Sequence, residues 1–182
     1  MLKDRTIVLA VTGGIAAYKS ATLVRELKRA HAEVFAIMTE HAAEFITPLT
    51  LETLSQNPVA LGLFDETNQW EAEHIALADR ADLLLVAPAT ANIISKAACG
   101  IADDLVSTAL LTMMADVPIV MAPAMNNRMW ENPIIVRHVA ALAELGVAFV
   151  GPAEGVLADG KTGIGRMADK SDIIDAVINR LA

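Results

Sequence analysis

Thr6-Ile7-Val8-Leu9-Ala10-Val11, followed at once by Thr12-Gly13-Gly14, is the stretch that decides the fold. A continuous apolar and β-branched run without polar alternation reads as a strand covered on both faces, as in a buried parallel sheet. The two glycines allow a tight turn out of it. Residues 15–30 then carry Leu23, Val24 and Leu27 among Arg25, Glu26, Lys28 and Arg29, which is amphipathic helical spacing.

The same alternation continues outward from this unit. Further strands are expected at 33–38 (EVFAIM), at 82–87 (DLLLVA, ending at Pro88), at 117–121 and at 147–150. Helical stretches are expected at 41–54, 91–98, 103–113, 133–145 (stopped by Gly146) and 172–181. Residues 57–70 look irregular, with Pro58, Gly62 and a polar Asp65-Glu66-Thr67-Asn68 cluster. Residues 151–165 hold five glycines and Pro152 and read as a long flexible loop, the usual sign of a lid or binding loop. Strands alternating with helices predict an α/β fold, a doubly wound, Rossmann-like or flavodoxin-like parallel sheet with helices on both faces. With no repeat or linker, residues 1–182 are expected to form a single domain.

Composition removes several classes of function. The 54% hydrophobic content, with only 4% aromatic, leaves Ala, Leu, Ile and Val to build the core and apolar surface for self-association. A net charge of −8, spread along the chain, repels phosphate backbones, so nucleic acid is not an expected partner. The single Cys99 excludes an internal disulfide framework. No apolar run is long enough to span a bilayer, and Lys3, Asp4 and Arg5 interrupt the start where a signal peptide would need its apolar region. The expected setting is the cytoplasm, away from membranes.

Four constellations could carry chemistry. Thr12-Gly13-Gly14-Ile15-Ala16-Ala17 offers close backbone approach and free N–H groups to a phosphate, although an ordinary βα turn would look the same. Its spacing is not G-x-G-x-x-G, and Glu40 sits beside Thr39 and His41, which suit a phosphate better than a ribose. A mononucleotide is therefore favoured over a dinucleotide. Pro88-Ala89-Thr90-Ala91-Asn92, at a strand end, offers N–H, hydroxyl and amide groups to a flat heterocycle, or simply an N-cap at Thr90. Pro123-Ala124-Met125-Asn126-Asn127-Arg128-Met129-Trp130 sets a carboxamide among Met and Trp between a strand end and a helix start. Strand ends are where open α/β sheets bind ligands, so this reads as a pocket wall, or as a helix start whose side chains plug the core. His74 could serve as a base near neutral pH or as a structural residue; no His/Cys grouping has metal-ligand spacing. In the glycine-rich loop, Arg166 could pair with an anionic ligand or with a surface carboxylate.

Taken together, these motifs resemble the flavin-containing cysteine decarboxylases, and within them the phosphopantothenoylcysteine branch of coenzyme A biosynthesis. The likeness rests on the Gly13–Ala17 turn, His74-Ile75, the Ala87-Pro88-Ala89-Thr90-Ala91-Asn92 run, the Pro123–Trp130 signature and Gly163-Ile164-Gly165-Arg166-Met167. The resemblance implies FMN held by Gly13, Gly14, Ile15, Thr39, Thr90, Ala91, Asn92 and Ile93, with Phe45 and Ala124 near the ring. It implies His74 as catalytic base, and Asn126 and Met129 at the cysteine carboxylate of a small cysteine-terminated substrate; Arg166 joins them as a substrate-binding candidate. It implies a homotrimer, assembled into a dodecamer in some relatives, and a phosphopantothenate–cysteine ligase, fused or separate. The chain ends where a fused domain would begin, so a stand-alone enzyme and one half of a bifunctional protein are both expected forms.

The implied chemistry explains these residue types. A cysteine carboxylate has no electron sink, whereas oxidation of the thiol-bearing carbon gives a thioaldehyde from which CO₂ leaves as from a β-keto acid. A dry Met/Trp pocket and an aligning carboxamide favour that loss. The resulting enethiol is then reduced, with a proton supplied from the lid. Here the sequence departs from the pattern: Ala158-Asp159-Gly160 stands where the family carries Ala-Cys-Gly. A thiol of pKa ~8.5 is a proton donor at neutral pH, whereas a solvated Asp of pKa ~3.9 is already ionised. Unless closure desolvates Asp159, the last reduction is expected to be slow and an enethiol to be released. Relatives that act on C-terminal peptidyl-cysteine do stop there. Others on this scaffold are non-catalytic FMN-binding regulatory subunits, against which His74 and Asn126 together argue, or flavin prenyltransferases, which lack the Pro123–Trp130 signature.

Overall fold

The computed structural model describes residues 2–62, 73–158 and 160–182. Its centre is a six-stranded, all-parallel sheet built from β1 (Thr6–Val11), β2 (Glu33–Met38), β3 (Val59–Ala60), β4 (Leu83–Ala89), β5 (Ile119–Pro123) and β6 (Ala148–Phe149). The strand order is β3-β2-β1-β4-β5-β6, the doubly wound order of the Rossmann type. Sequence order reverses between β1 and β4, and the crevice outside their carboxyl ends is where such sheets take ligands.

Why the strands read as unbroken apolar runs follows from the two cores. Ile7, Leu9 and Val11 of β1 face one side, with Leu23, Val24 and Leu27 of α1 (Ser20–Arg29), Leu51 of α2 (Pro48–Ser55), and Ile173 and Val177 of α8 (Lys170–Arg180). Val8 and Ala10 face the other, with Leu77 of α3 (Glu73–Arg80), Ile93 and Ile94 of α4 (Ala91–Cys99), Val106, Ala109 and Leu110 of α5 (Leu105–Met113), and Leu142 of α7 (Pro133–Glu144). Both faces of each central strand are therefore dry. Among the described residues, no helix is long and apolar enough to cross a membrane.

Several local readings are corrected. The helix expected over 15–30 opens as a 3-10 turn, Ile15–Lys19, and the stretch 41–54 is a 3-10 turn, Glu40–Ala42, followed by α2, which starts at Pro48 under the Thr47 N-cap. Pro88 does not end β4; the strand runs on to Ala89 through a register shift against β5, where the missing N–H costs no ladder bond. Val59–Ala60 pairs with β2 as an edge strand inside the stretch read as irregular. The glycine-rich segment is not a plain loop. It forms a separate antiparallel hairpin, β7 (Ala153–Val156) with β8 (Thr162–Arg166).

Candidate active site

A cleft of about 1220 Å³ opens at the carboxyl ends of β1, β2, β4 and β5. That is ample for a mononucleotide together with a small substrate. Gly13, Gly14 and Ile15 after β1 line it, as do Thr39 after β2, Phe45, the Thr90–Ile93 start of α4, and Ala124, Asn126 and Met129 beyond β5. Arg166, the last residue of β8, also lines it. The sheet thus gathers thirteen of the fifteen sequence-designated site residues in one cavity. The other two are placed differently. His74 is the second residue of α3, with its side chain outside the described residues, and Asp159 lies outside them altogether.

Two hydroxyls, those of Thr12 and Ser20, join the walls beneath the cleft. Thr12 Oγ1 donates to the Pro88 carbonyl oxygen at 2.7 Å and accepts from the Thr90 N–H at 3.3 Å. Ser20 Oγ donates to the Ala87 carbonyl oxygen at 2.7 Å. Thr90 also caps α4, accepting from the Ile93 N–H at 3.4 Å, so its structural and site-lining readings hold together.

Asn126 is the N-cap of a short helix, α6 (Asn127–Trp130), and its Oδ1 accepts from the Arg128 N–H at 2.9 Å, which fixes the carboxamide's orientation on the cleft wall. The hairpin lies against this segment. Met125 N–H donates to the Gly165 carbonyl oxygen at 3.0 Å. A Cβ built on Gly165 would run into the Met125 carbonyl oxygen, and one on Gly163 would meet Asn127 Cβ at 3.4 Å. Gly165 thus serves close backbone approach, whereas at Gly163 the space would admit a Cβ in ordinary contact.

The sequence left further lining residues unassigned. Lys96, Asp103 and Asp104 form one cluster, with Lys96 Nζ 2.5 Å from Asp103 Oδ1 and 2.6 Å from Asp104 Oδ2. Burial by itself would depress the Lys96 ammonium, but hydrogen bonds to both carboxylates raise it above its ordinary value. Helical spacing offered a signal: Lys96 falls four residues after Asn92, on the same helix face. Lys19 also lines the cleft; its pKa is lowered first by burial and then by the neighbouring Arg166, with Asp169 opposing. Arg166 itself pairs with Asp169 at 3.3 Å.

The cavity fits a polar planar ligand with a phosphate tail. Thr39 Oγ1 is buried against it with no hydrogen-bond partner, an arrangement that is costly unless a ligand satisfies the hydroxyl. A Cβ on Gly13 would run into His41 and one on Gly14 would meet Thr90 Cγ2 at 3.3 Å, so both glycines let the first turn pack closely against the neighbouring cleft walls. At the rim, Ile15, Tyr18, Phe45 and Met129 are all exposed apolar side chains.

The Flavoprotein family matches residues 1–182 of the chain. The coenzyme A biosynthesis bifunctional protein CoaBC of Bacillus subtilis is 45% identical over 174 residues, which cover 96% of this chain and 42% of that protein. The chain thus spans less than half the length of this relative. The probable phosphopantothenoylcysteine decarboxylase of Streptococcus mutans is 43% identical over 177 residues, covering 97% of this chain and 99% of the relative. Among solved structures, a cysteine-to-serine mutant of PPC decarboxylase complexed with pantothenoylaminoethenethiol superposes with a TM-score of 0.85 at 34% identity, over 96% of this chain and 97% of that one. The FMN binding protein AtHal3 superposes with a TM-score of 0.83 at 34% identity, over 97% and 96%.

Proposed function

The chain belongs to the Flavoprotein family, alongside the phosphopantothenoylcysteine decarboxylases, and on that premise we propose that it is an FMN-dependent carboxy-lyase. Its substrate is 4′-phosphopantothenoylcysteine and its product 4′-phosphopantetheine, in coenzyme A biosynthesis in the cytoplasm. The observation that carries this reading is the single cleft joining the Gly13–Ile15 turn, the Thr90–Ile93 helix start and the Ala124–Met129 segment around the unpartnered Thr39 hydroxyl.

Gly13, Gly14, Ile15, Thr39 and Thr90 to Ile93 hold FMN, with Phe45 and Ala124 beside its ring. When bound, FMN supplies a two-electron oxidant for the thiol-bearing carbon. His74 takes the substrate's thiol proton. Asn126, its carboxamide oriented through the Arg128 N–H, aligns the cysteine carboxylate, while Met129 keeps its surroundings apolar so that loss of charge as CO₂ is favoured. Arg166 binds the substrate from the hairpin. The exposed Ile15, Tyr18, Phe45 and Met129 are covered by neighbouring copies in a homotrimer, itself able to build a dodecamer. A phosphopantothenate–cysteine ligase, fused or separate, supplies the substrate.

One observation favours a second outcome on the same substrate. Asp159 stands where the family's lid carries cysteine, and an ionised carboxylate cannot donate the final proton. On this reading the enethiol leaves before reduction. The test is to incubate the flavin-loaded protein with 4′-phosphopantothenoylcysteine and follow CO₂ and product mass. CO₂ with 4′-phosphopantetheine supports the full reaction, and CO₂ with a product two hydrogens lighter supports early release. No CO₂ from flavin-loaded protein overturns both.

A further inference from the structure

Resting on the reading of the cleft as an FMN site, we propose that the Lys96–Asp103–Asp104 cluster sets how readily the bound flavin accepts electrons from the substrate. All three side chains line the cleft. Lys96 stands one turn after Asn92 in α4, about 6 Å along the helix axis, so a ring held by the Thr90–Ile93 turn lies within reach of its charge. Its ammonium is 2.5 Å from Asp103 Oδ1 and 2.6 Å from Asp104 Oδ2, and its side chain is only 16% exposed. Asp104 is fixed from the other side, because its Oδ1 caps α5 by accepting from the Ser107 N–H at 2.8 Å. Asp103 is the outer member, at 60% exposure.

The cluster sets one cation against two carboxylates. Burial on its own would lower the Lys96 ammonium, but hydrogen bonds to both carboxylates raise it, and the bond to Lys96 lowers the Asp103 carboxyl. Both groups therefore keep their charge at neutral pH. Oxidation of the substrate brings new charge to the cleft. As the thiol-bearing carbon passes a hydride to the flavin and its bond to sulfur becomes double, the thiol proton goes to His74, and the ring gains two electrons with one proton. It acquires one unit of negative charge, which nearby carboxylates oppose and an ammonium favours. In a half-buried cleft such effects are screened less than on an open surface. Lys96 thus offsets one of two carboxylates that would otherwise favour the oxidised ring.

The test is the midpoint potential of bound FMN, read from its absorbance during reductive titration beside a reference dye. Lys96→Met lowers the potential and Asp103→Asn raises it, each by about tenfold in the reduction equilibrium, which is about 30 mV for a two-electron couple. The double variant returns to the parent value, because it removes one charge of each sign, and Lys96→Arg keeps that value. Potentials that stay unchanged in both single variants, or that move in the same direction, would overturn the role of the cluster while leaving the FMN reading intact. If Lys96→Met does not fold, Asp103→Asn decides alone, and a potential that fails to rise overturns the role. Parent protein that takes up no FMN would overturn both.

Discussion

The Thr12 hydroxyl at the end of β1 donates to the Pro88 carbonyl oxygen of β4 at 2.7 Å, a buried bond across the point where strand order reverses. The same oxygen accepts from the Thr90 N–H. One side chain thus sets the spacing between the glycine turn and the start of α4, the two segments that would grip a flavin from either side.

Thr12→Val keeps the shape and removes both bonds, leaving a buried carbonyl and N–H unpaired. The expected cost is about 1–3 kcal/mol, or a fall in Tm of roughly 2–10 °C for a chain of this size, accompanied by weaker FMN binding. Thermal unfolding with and without FMN checks it. An unchanged Tm would mean that the turn and α4 are held by other contacts.

Gly165→Ala forces a Cβ into the Met125 carbonyl oxygen and pushes the β7–β8 hairpin away from Asn126. Overpacking of this kind costs about 1–3 kcal/mol, and the displaced hairpin should raise KM for substrate more than it lowers flavin affinity. Steady-state kinetics beside a flavin titration separate the two effects. A loss confined to flavin binding would contradict this placement of the hairpin.

His74→Asn is expected to remove turnover by a factor of at least about 10² while FMN stays bound, because proton transfer is lost and the flavin's anchors are untouched. Absorbance of the purified variant and a CO₂ assay check it. Loss of flavin together with a lowered Tm would instead make His74 a packing residue.

Asp159→Cys restores a donor that is protonated at neutral pH. If the parent releases enethiol, the variant should shift the product to fully reduced 4′-phosphopantetheine, seen by mass spectrometry as a gain of two hydrogens. The same product from both proteins would show that the final proton comes from elsewhere.

Much of the architecture was legible because burial on two faces leaves an unmistakable mark: the runs 6–11 and 33–38 needed no alternation to be read. Val59–Ala60 was missed because two residues carry no periodicity; only pairing with Ala36 and Ile37 makes them a strand. Pro88 was read as a stop because its effect on the ladder depends on a register shift that the sequence does not display.

The sequence by itself determined the alternation of strands and helices, the glycine turn, and most of the residue types that line the cleft, since these depend on local pattern and covalent chemistry. Only the tertiary structure decided that Gly165 lets a hairpin press against Met125–Asn127, that Lys96 is held by Asp103 and Asp104, and that His41 rests on Gly13. Those relationships join segments far apart along the chain, and their distances follow from how the sheet and helices pack.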